Sequence, residues 1–278
     1  MITFPPCKIN IGLFVTDKRA DNYHNLQSIF YPLSLCDALE IRFSTSSQSS
    51  FSIAGLQSKE ILATGAKLSI QKAYEILKSD FPDLPNVNMF LSKAIPTFAG
   101  LGSGSSDATS ALLLLNQMCN LNLSHSQLHN YASQLGADNT FFLENQPMFV
   151  YSKGEKMQAI DFSLKDYYIV LVKPNLNIST AEAYQSIHLT PQPYDLRNLD
   201  PNDISNWKNY IHNDFEQHLF KTYPVLQDIK DNLYSLGALY AQMSGSGSTI
   251  YGIFSSAPNI QNLSLPKDTF IHIEQITN

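Results

Sequence analysis

Residues 96–108 read Pro96-Thr97-Phe98-Ala99-Gly100-Leu101-Gly102-Ser103-Gly104-Ser105-Ser106-Asp107-Ala108. Three glycines and three serines fall within the seven residues from Gly100 to Ser106, and an aliphatic run, Ala111 to Leu115, follows closely. Glycine lets a backbone take positive φ and approach an anion without a Cβ in the way. The free N–H groups and positive dipole end of a following helix then stabilise negative charge. The stretch therefore predicts a phosphate-binding loop that leads into a helix over Ser105 to Cys119, with Asp107 in its first turn. Two common nucleotide loops do not fit. A dinucleotide fold requires an acidic residue about 20 positions downstream, and none stands near that distance. A Walker loop ends in Gly-Lys-Ser/Thr, whereas this one ends in Ser105-Ser106-Asp107. A flexible linker would not lead straight into an aliphatic helix.

The bulk properties bound the rest. A chain of 278 residues, 44% apolar and 15% charged, can build two domains with sizeable cores. Its net charge of −6 argues against a broad nucleic-acid surface, which needs clustered Lys and Arg. A loop of backbone amides needs little formal charge, so a small-molecule anion site remains open. Cys7, Cys36 and Cys119 have no zinc or redox spacing, which suggests thiols in a reducing compartment. The opening residues lack a signal-peptide pattern, and no apolar run is long enough for a membrane span. The expectation is a cytoplasmic protein with no membrane or nucleic-acid partner, a monomer or a weak homodimer.

Alternation predicts strands over Lys8 to Val15, Asp37 to Phe43 and Val87 to Leu91, and a buried strand over Asp166 to Lys173. Helical spacing predicts Ala66 to Lys78, stopped near Pro82 and Pro85. Ser124 with Gln127 makes a capping box, and Gly136 is placed to end that helix. A further helix is expected over Pro224 to Leu236 and a strand over Thr249 to Phe254. Pro191, Pro193 and Pro201 mark a surface loop. The mixture of elements points to an α+β protein. A turn around Gly154 suggests a boundary between residues 1–153 and 154–278.

The full string from Pro96 to Ala108 resembles the second motif of the galactokinase, homoserine kinase, mevalonate kinase and phosphomevalonate kinase (GHMP) superfamily. Lys8-Ile9-Asn10-Ile11-Gly12-Leu13 is similar to its first motif, and Met243-Ser244-Gly245-Ser246-Gly247-Ser248 to its third. The resemblance implies two domains. The N-terminal one would be ribosomal-protein-like α/β with a left-handed βαβ unit, and the C-terminal one ferredoxin-like α+β. Within the superfamily, Arg19-Ala20-Asp21-Asn22-Tyr23-His24-Asn25-Leu26 resembles the R-x-D-G-Y-H-x-L signature of the 4-diphosphocytidyl-2-C-methyl-D-erythritol kinase family. Gly136-Ala137-Asp138, Ser179-Thr180-Ala181 and Asn213-Asp214-Phe215-Glu216 match that family in order.

This family resemblance implies transfer of the γ-phosphoryl of ATP to the 2-hydroxyl of a cytidyl sugar alcohol diphosphate, in the non-mevalonate route to isoprenoid precursors. Asp138 is the candidate base, because a hydroxyl nucleophile must lose a proton to a carboxylate within reach. Lys8 is the candidate partner, holding Asp138 ionised and offsetting charge on the phosphoryl group. On the residues alone, Asp138 reads first as a turn carboxylate and Lys8 as a solvated strand-edge lysine; the family motif reverses both readings. Tyr23 and His24 are candidates for stacking on cytosine and bonding its edge, with Tyr184 on the other face. Asn10 shares a strand face with Lys8 and either orients substrate or makes a structural hydrogen bond. By analogy with the family, the chain from Lys93 to Pro96 runs beside adenine. Gly100, Leu101, Gly102, Ser103, Gly104, Ser105 and Ser106 hold phosphates. Mg²⁺ is expected with ATP, with no dedicated carboxylate ligand evident.

Four positions depart from the family pattern. Asn22 replaces a glycine, Ser103 stands where glycine is common, Leu68 where Asn is frequent, and Asn139-Thr140 is unusual after Asp138. Two other readings stay open on this sequence. A kinase for a different small alcohol would leave Tyr23 and His24 without a base to read. A non-enzymatic nucleotide sensor would have no need of a base.

Overall fold

The computed structural model describes residues 1–21, 23–185, 187, 189 and 194–277; Asn22 and the predicted loop prolines Pro191 and Pro193 lie outside them. The strands are β1 (Ile2–Thr3), β2 (Pro6–Lys18), β3 (His24–Cys36), β4 (Ala38–Phe43), β5 (Ser50–Gly55), β6 (Val87–Lys93), β7 (Met148–Ser152), β8 (Lys156–Ala159), β9 (Tyr168–Lys173), β10 (Tyr240–Met243), β11 (Ile250–Phe254) and β12 (Phe270–Gln275). The helices are α1 (Ser58–Ala63), α2 (Ser69–Asp80), α3 (Ser103–Met118), α4 (His125–Leu135), α5 (Phe141–Glu144), α6 (Thr180–Tyr184), α7 (Glu216–Thr222) and α8 (Pro224–Ser235). The protein is α+β, as the mixture of elements suggests.

The chain forms two compact units that interleave in sequence. One comprises Met1–Cys7, Leu35–Thr97 and Gly102–Asn145; the other Lys8–Ser34, Phe98–Leu101 and Gln146–Asn278. A single cut near Gly154 is a division by chain order. The division by compactness differs because the long strands β2 and β3 run most of their length in the second unit.

The first unit is a sheet in the order β1-β4-β6-β5 packed on helices. β5 and β6 are parallel neighbours joined through α1 and α2, a βαβ unit. β6 alternates in burial from Val87 to Leu91, so its inward residues Val87, Met89 and Leu91 join Leu39 and Ile41 of β4 in the core. Ile70, Ala73, Tyr74 and Leu77 of α2 meet them at the i, i+3, i+4, i+7 spacing that places side chains on one face. Leu68 belongs to this core and is 8% exposed. It is a packing residue just before α2. Leu112 and Leu115 of α3 and Leu128 and Ala132 of α4 complete it. Burying each leucine contributes roughly 2 kcal/mol. The capping box is present: Ser124 Oγ accepts from Gln127 N–H, and the Gln127 side chain accepts from Ser124 N–H at 2.9 Å.

The second unit holds two sheets, β2-β3-β7-β8 and β10-β11-β9-β12. The latter is antiparallel throughout. Counted in chain order, its strands lie 4-1-3-2, the order of a ferredoxin-like sheet, as the resemblance implies. The link from β11 to β12 carries only the 3-10 turn Ile260–Asn262 where that fold has its second helix. The center of the sheet is β9, which reads as a continuous buried run because neighbours flank it on both sides. Leu226, Ile229 and Leu233 of α8 pack against Val170, Val172 and Ile250 in one core. Pro224 occupies the first turn of α8, where its missing N–H costs nothing.

Sequence reading places nine of these twenty elements, β2, β4, β6, β9, β11, α2, α3, α4 and α8, and β3 is the longest that it misses. Its continuous apolar run, Ile29-Phe30-Tyr31, is interrupted by Pro32, which argues against a strand.

Candidate functional site

The helix after the glycine loop begins at Ser103, two residues before the expected start. Asp107 therefore lies beyond the first turn and does not face the dipole end as expected. Gly102 is the N-cap, at φ 70°, and no side chain caps the helix. The first-turn N–H groups have no intrahelical acceptor by construction, so Ser103, Gly104 and Ser105 present amides that suit an anion. Ser106 is fully buried, and its Oγ has no hydrogen-bond partner among the described residues. Gly100 sits at φ 72°, and a Cβ there would fall 1.9 Å from the Ser244 carbonyl oxygen. No other residue fits that position.

The first unit holds a buried ion cluster. The Lys93 ammonium, at the end of β6, pairs with Asp37 and with Asp107 at 2.7 Å, and donates to Ser103 Oγ. Asp37 Oδ1 accepts from the N–H groups of Ala94 and Ile95 at 2.6 and 2.8 Å. Asp107 Oδ1 has no hydrogen-bond partner among the described residues. Burial pushes the Asp107 carboxyl up to about 7; Lys93 opposes the rise and Asp37 adds to it. The Lys93 side chain is thus enclosed in the protein and holds the start of α3 to the end of β6. Any adenine contact along residues 93–96 falls to the backbone or to other side chains; Pro96 is itself buried.

Asp138 lies half-buried in the 3-10 turn Ala137–Asn139. Asn139, unusual for the family, anchors that turn. Its Nδ2 donates to the Ser105 carbonyl at 3.0 Å and to Thr109 Oγ1 at 3.2 Å, and Thr109 Oγ1 donates back to the Asn139 carbonyl at 2.9 Å. The turn that carries Asp138 is therefore fastened to the first turns of α3.

In the second unit Lys8 is 3% exposed and not solvated. Its ammonium donates to Asn10 Oδ1 at 2.6 Å and to the Gly100 carbonyl at 3.1 Å, and stands 4.5 Å from the center of the Phe30 ring. Asn10 donates in turn to Ser28 Oγ at 2.9 Å. Both side-chain polar atoms of Asn10 thus serve internal contacts, and what it orients is Lys8. Leu101 is buried, and its carbonyl accepts from Lys8 N–H at 3.0 Å.

Tyr23 projects into solvent at 62% exposure, with the Lys153 ammonium 4.9 Å from its ring center. His24 opens β3 and stacks on Tyr184, with ring centers 5.1 Å apart and planes at 17°. Tyr184 meets Phe215 edge-on at 4.8 Å. The structure brings the predicted His24 and Tyr184 together directly, so one face of Tyr184 is taken by the imidazole.

Residues 68–153 match the GHMP kinases N terminal domain family, and residues 195–264 the GHMP kinases C terminal family. The chain is 45% identical over 265 residues to the 4-diphosphocytidyl-2-C-methyl-D-erythritol kinase of Bacteroides fragilis, covering 95% of each chain. The chain belongs to the 4-diphosphocytidyl-2-C-methyl-D-erythritol kinase family. The kinase of the same name from Parabacteroides distasonis is 42% identical, with each chain covered completely. A crystal structure of 4-(cytidine 5'-diphospho)-2C-methyl-D-erythritol kinase superposes with a TM-score of 0.73 at 28% identity, covering 91% of this chain and 90% of that one. A homoserine kinase from Cytophaga hutchinsonii, at 15% identity and a TM-score of 0.67, shares the fold.

For a member of this kinase family, sequence reasoning overlooked four side chains with clear local roles. Asn139 stands out only as unusual for the family, and Lys153 lies beside the turn around Gly154 with no role that the sequence assigns. Phe215 and Asn213 lie in a segment matched to the family without a role. Their partners are distant in sequence, so no local periodicity reports them.

Proposed function

We propose that this chain transfers the γ-phosphoryl group of ATP to the 2-hydroxyl of 4-diphosphocytidyl-2-C-methyl-D-erythritol, a step toward isoprenoid precursors. The observation that carries the reading is the glycine loop at 100–106, bent at Gly100 and Gly102 into a 16-residue helix that no side chain caps. The first-turn amides of that helix hold the donor phosphates. The acceptor oxygen forms a bond to the γ-phosphorus as the bond to the bridging β,γ-oxygen breaks, and ADP leaves. The hydroxyl proton passes to Asp138, whose turn Asn139 fastens to α3. Lys8 supplies a desolvated positive charge against Gly100, where it offsets charge gathering on the phosphoryl group. Tyr23 offers an exposed ring for a pyrimidine to stack on, and His24 offers ring nitrogens for the base edge.

Among the described residues no group of three acidic, histidine or cysteine side chains could hold a metal. The unpartnered Ser106 Oγ fits a Mg²⁺ that takes its other ligands from phosphate and water. When bound, the ion neutralises phosphate charge. No described helix is long and apolar enough to cross a membrane. Cys7, Cys36 and Cys119 form no disulfide, which supports a location in the reducing cytoplasm.

An ADP-release assay with the cytidyl substrate tests the reaction. Asp138→Ala is expected to abolish turnover while circular dichroism and melting temperature stay at wild-type values. Near-native turnover in that variant would remove Asp138 from the mechanism. Turnover of a small alcohol lacking the cytidyl group, at the same kcat/KM, would replace this acceptor with another.

A further inference from the structure

Asn213 is 1% exposed, and all its side-chain hydrogen-bonding capacity faces the protein. Its Nδ2 donates to the carbonyls of Met243 and Gly245 at 2.8 and 2.7 Å, and its Oδ1 accepts from Phe215 N–H at 3.0 Å. Glu216, three residues on, accepts from Met243 N–H at 2.7 Å and is held there by Lys230 at 2.7 Å. The small-residue turn at 243–247 is thus gripped on one side by residues 213–216.

Its other side touches the glycine loop. Ser244 Oγ donates to the Gly100 carbonyl at 2.9 Å and accepts from Asn10 N–H at 3.1 Å. Ser248 N–H and Thr249 N–H donate to the carbonyls of Phe98 and Ala99, both at 3.3 Å. A Cβ added to Gly245 would lie 3.4 Å from Gly100 Cα, and one on Gly100 would overlap the Ser244 carbonyl. At Gly100 the contact is backbone against backbone, so a shift of the turn shifts Gly100, while a Cβ on Gly245 would also meet Asn10 Oδ1 at 3.1 Å. The Gly100 carbonyl is also an acceptor for Lys8 Nζ.

We propose that Asn213 is a positioning residue for the phosphate donor: by holding the Met243 and Gly245 carbonyls it fixes the turn at 243–247, and through Ser244 and Gly245 it sets Gly100 and the Lys8 ammonium. Asparagine supplies the two donors and one acceptor that this place needs. Aspartate would set a carboxylate oxygen against two carbonyls. The inference rests on the reading that the 100–106 loop holds ATP phosphates.

Steady-state kinetics of Asn213→Ala test it, with Ser244→Ala breaking the next link by deleting a single oxygen. Each is expected to raise KM for ATP about tenfold, the loss of roughly one well-made buried hydrogen bond, while KM for the cytidyl substrate stays within twofold. Leu226→Ala, a core truncation in α8, serves as a destabilised control and leaves KM for ATP unchanged. Gly100→Ala separates the two levels of the argument. If Gly100→Ala leaves KM for ATP at the wild-type value, the loop reading falls. If it raises KM while folded Asn213→Ala and Ser244→Ala stay within twofold of wild type, only the role of Asn213 falls. Should Asn213→Ala fail to fold, Ser244→Ala decides alone. A tenfold rise in the Leu226→Ala control as well would reduce the effect to general stability and overturn the inference.

Discussion

Replacing Lys93 with methionine keeps most of the side-chain stem and removes the ammonium. In the native protein that ammonium stands between two carboxylates, and the three side chains are 2%, 0% and 2% exposed for Lys93, Asp37 and Asp107. Breaking a buried pair by removing one partner costs about 3–5 kcal/mol, because the remaining charge has neither water nor a counterion. For a chain of this size, that is a fall in Tm on the order of 10 °C. The loss should depend on pH. The native Asp107 carboxyl stands at about 7 against an ordinary 3.8. A raised carboxyl means that the folded state binds the extra proton. This group's contribution therefore favours folding below about 3.8 and is lost as pH climbs to about 7. Without Lys93 the carboxyl rises further and is neutral at pH 5.5, so Lys93→Met should be closer to wild type there than at pH 8. Thermal melts of both proteins by circular dichroism at the two pH values measure this. A Tm within about 2 °C of wild type at both, combined with lost ATP binding, would refute the reasoning and return the Lys93 side chain to the nucleotide.

Tyr23→Ala should raise KM for the cytidyl substrate about tenfold, since stacking on an aromatic contributes roughly 1–3 kcal/mol per base; the same KM in wild type and variant would take the base away from this ring. Asn139→Ala frees the Asp138 turn from Ser105 and Thr109. A fall in kcat on the order of 10²-fold at unchanged KM for ATP is expected, as for a catalytic group displaced by about 1 Å; a change in KM for ATP alone would place Asn139 with the donor instead.

Much of the fold was legible because its signals are local. The capping box at Ser124 and Gln127, the apolar face of α2 and the Pro224 start of α8 each depend on residues within a few positions of one another. β3 was missed because Pro32 overrides the apolar run, and the start of α3 shifted because Gly102, at positive φ, caps the helix by conformation and not by a side chain. The site was legible as motifs, and the partners of the motif residues were not. Lys93 reads as a lysine near a nucleotide loop, yet Asp37 lies 56 residues before it and neutralises it. Lys8 reads as a strand-edge cation, yet Phe30 and Gly100 enclose it.

By itself the sequence determined that a glycine loop precedes a helix, that three ordered motifs of one kinase superfamily are present, and that Tyr23-His24 singles out one family within it. Those are properties of residue type and short spacing, and glycine's conformational freedom or a helix dipole acts over a few residues. Tertiary structure alone decided which motif residues face inward. Lys93 turns into an ion cluster, Asn10 holds Lys8, and Asn213 grips a turn 30 residues away in sequence. Burial removes water as a partner for these polar groups, so each must find its hydrogen bond wherever the fold places one, at a sequence distance that no local pattern records.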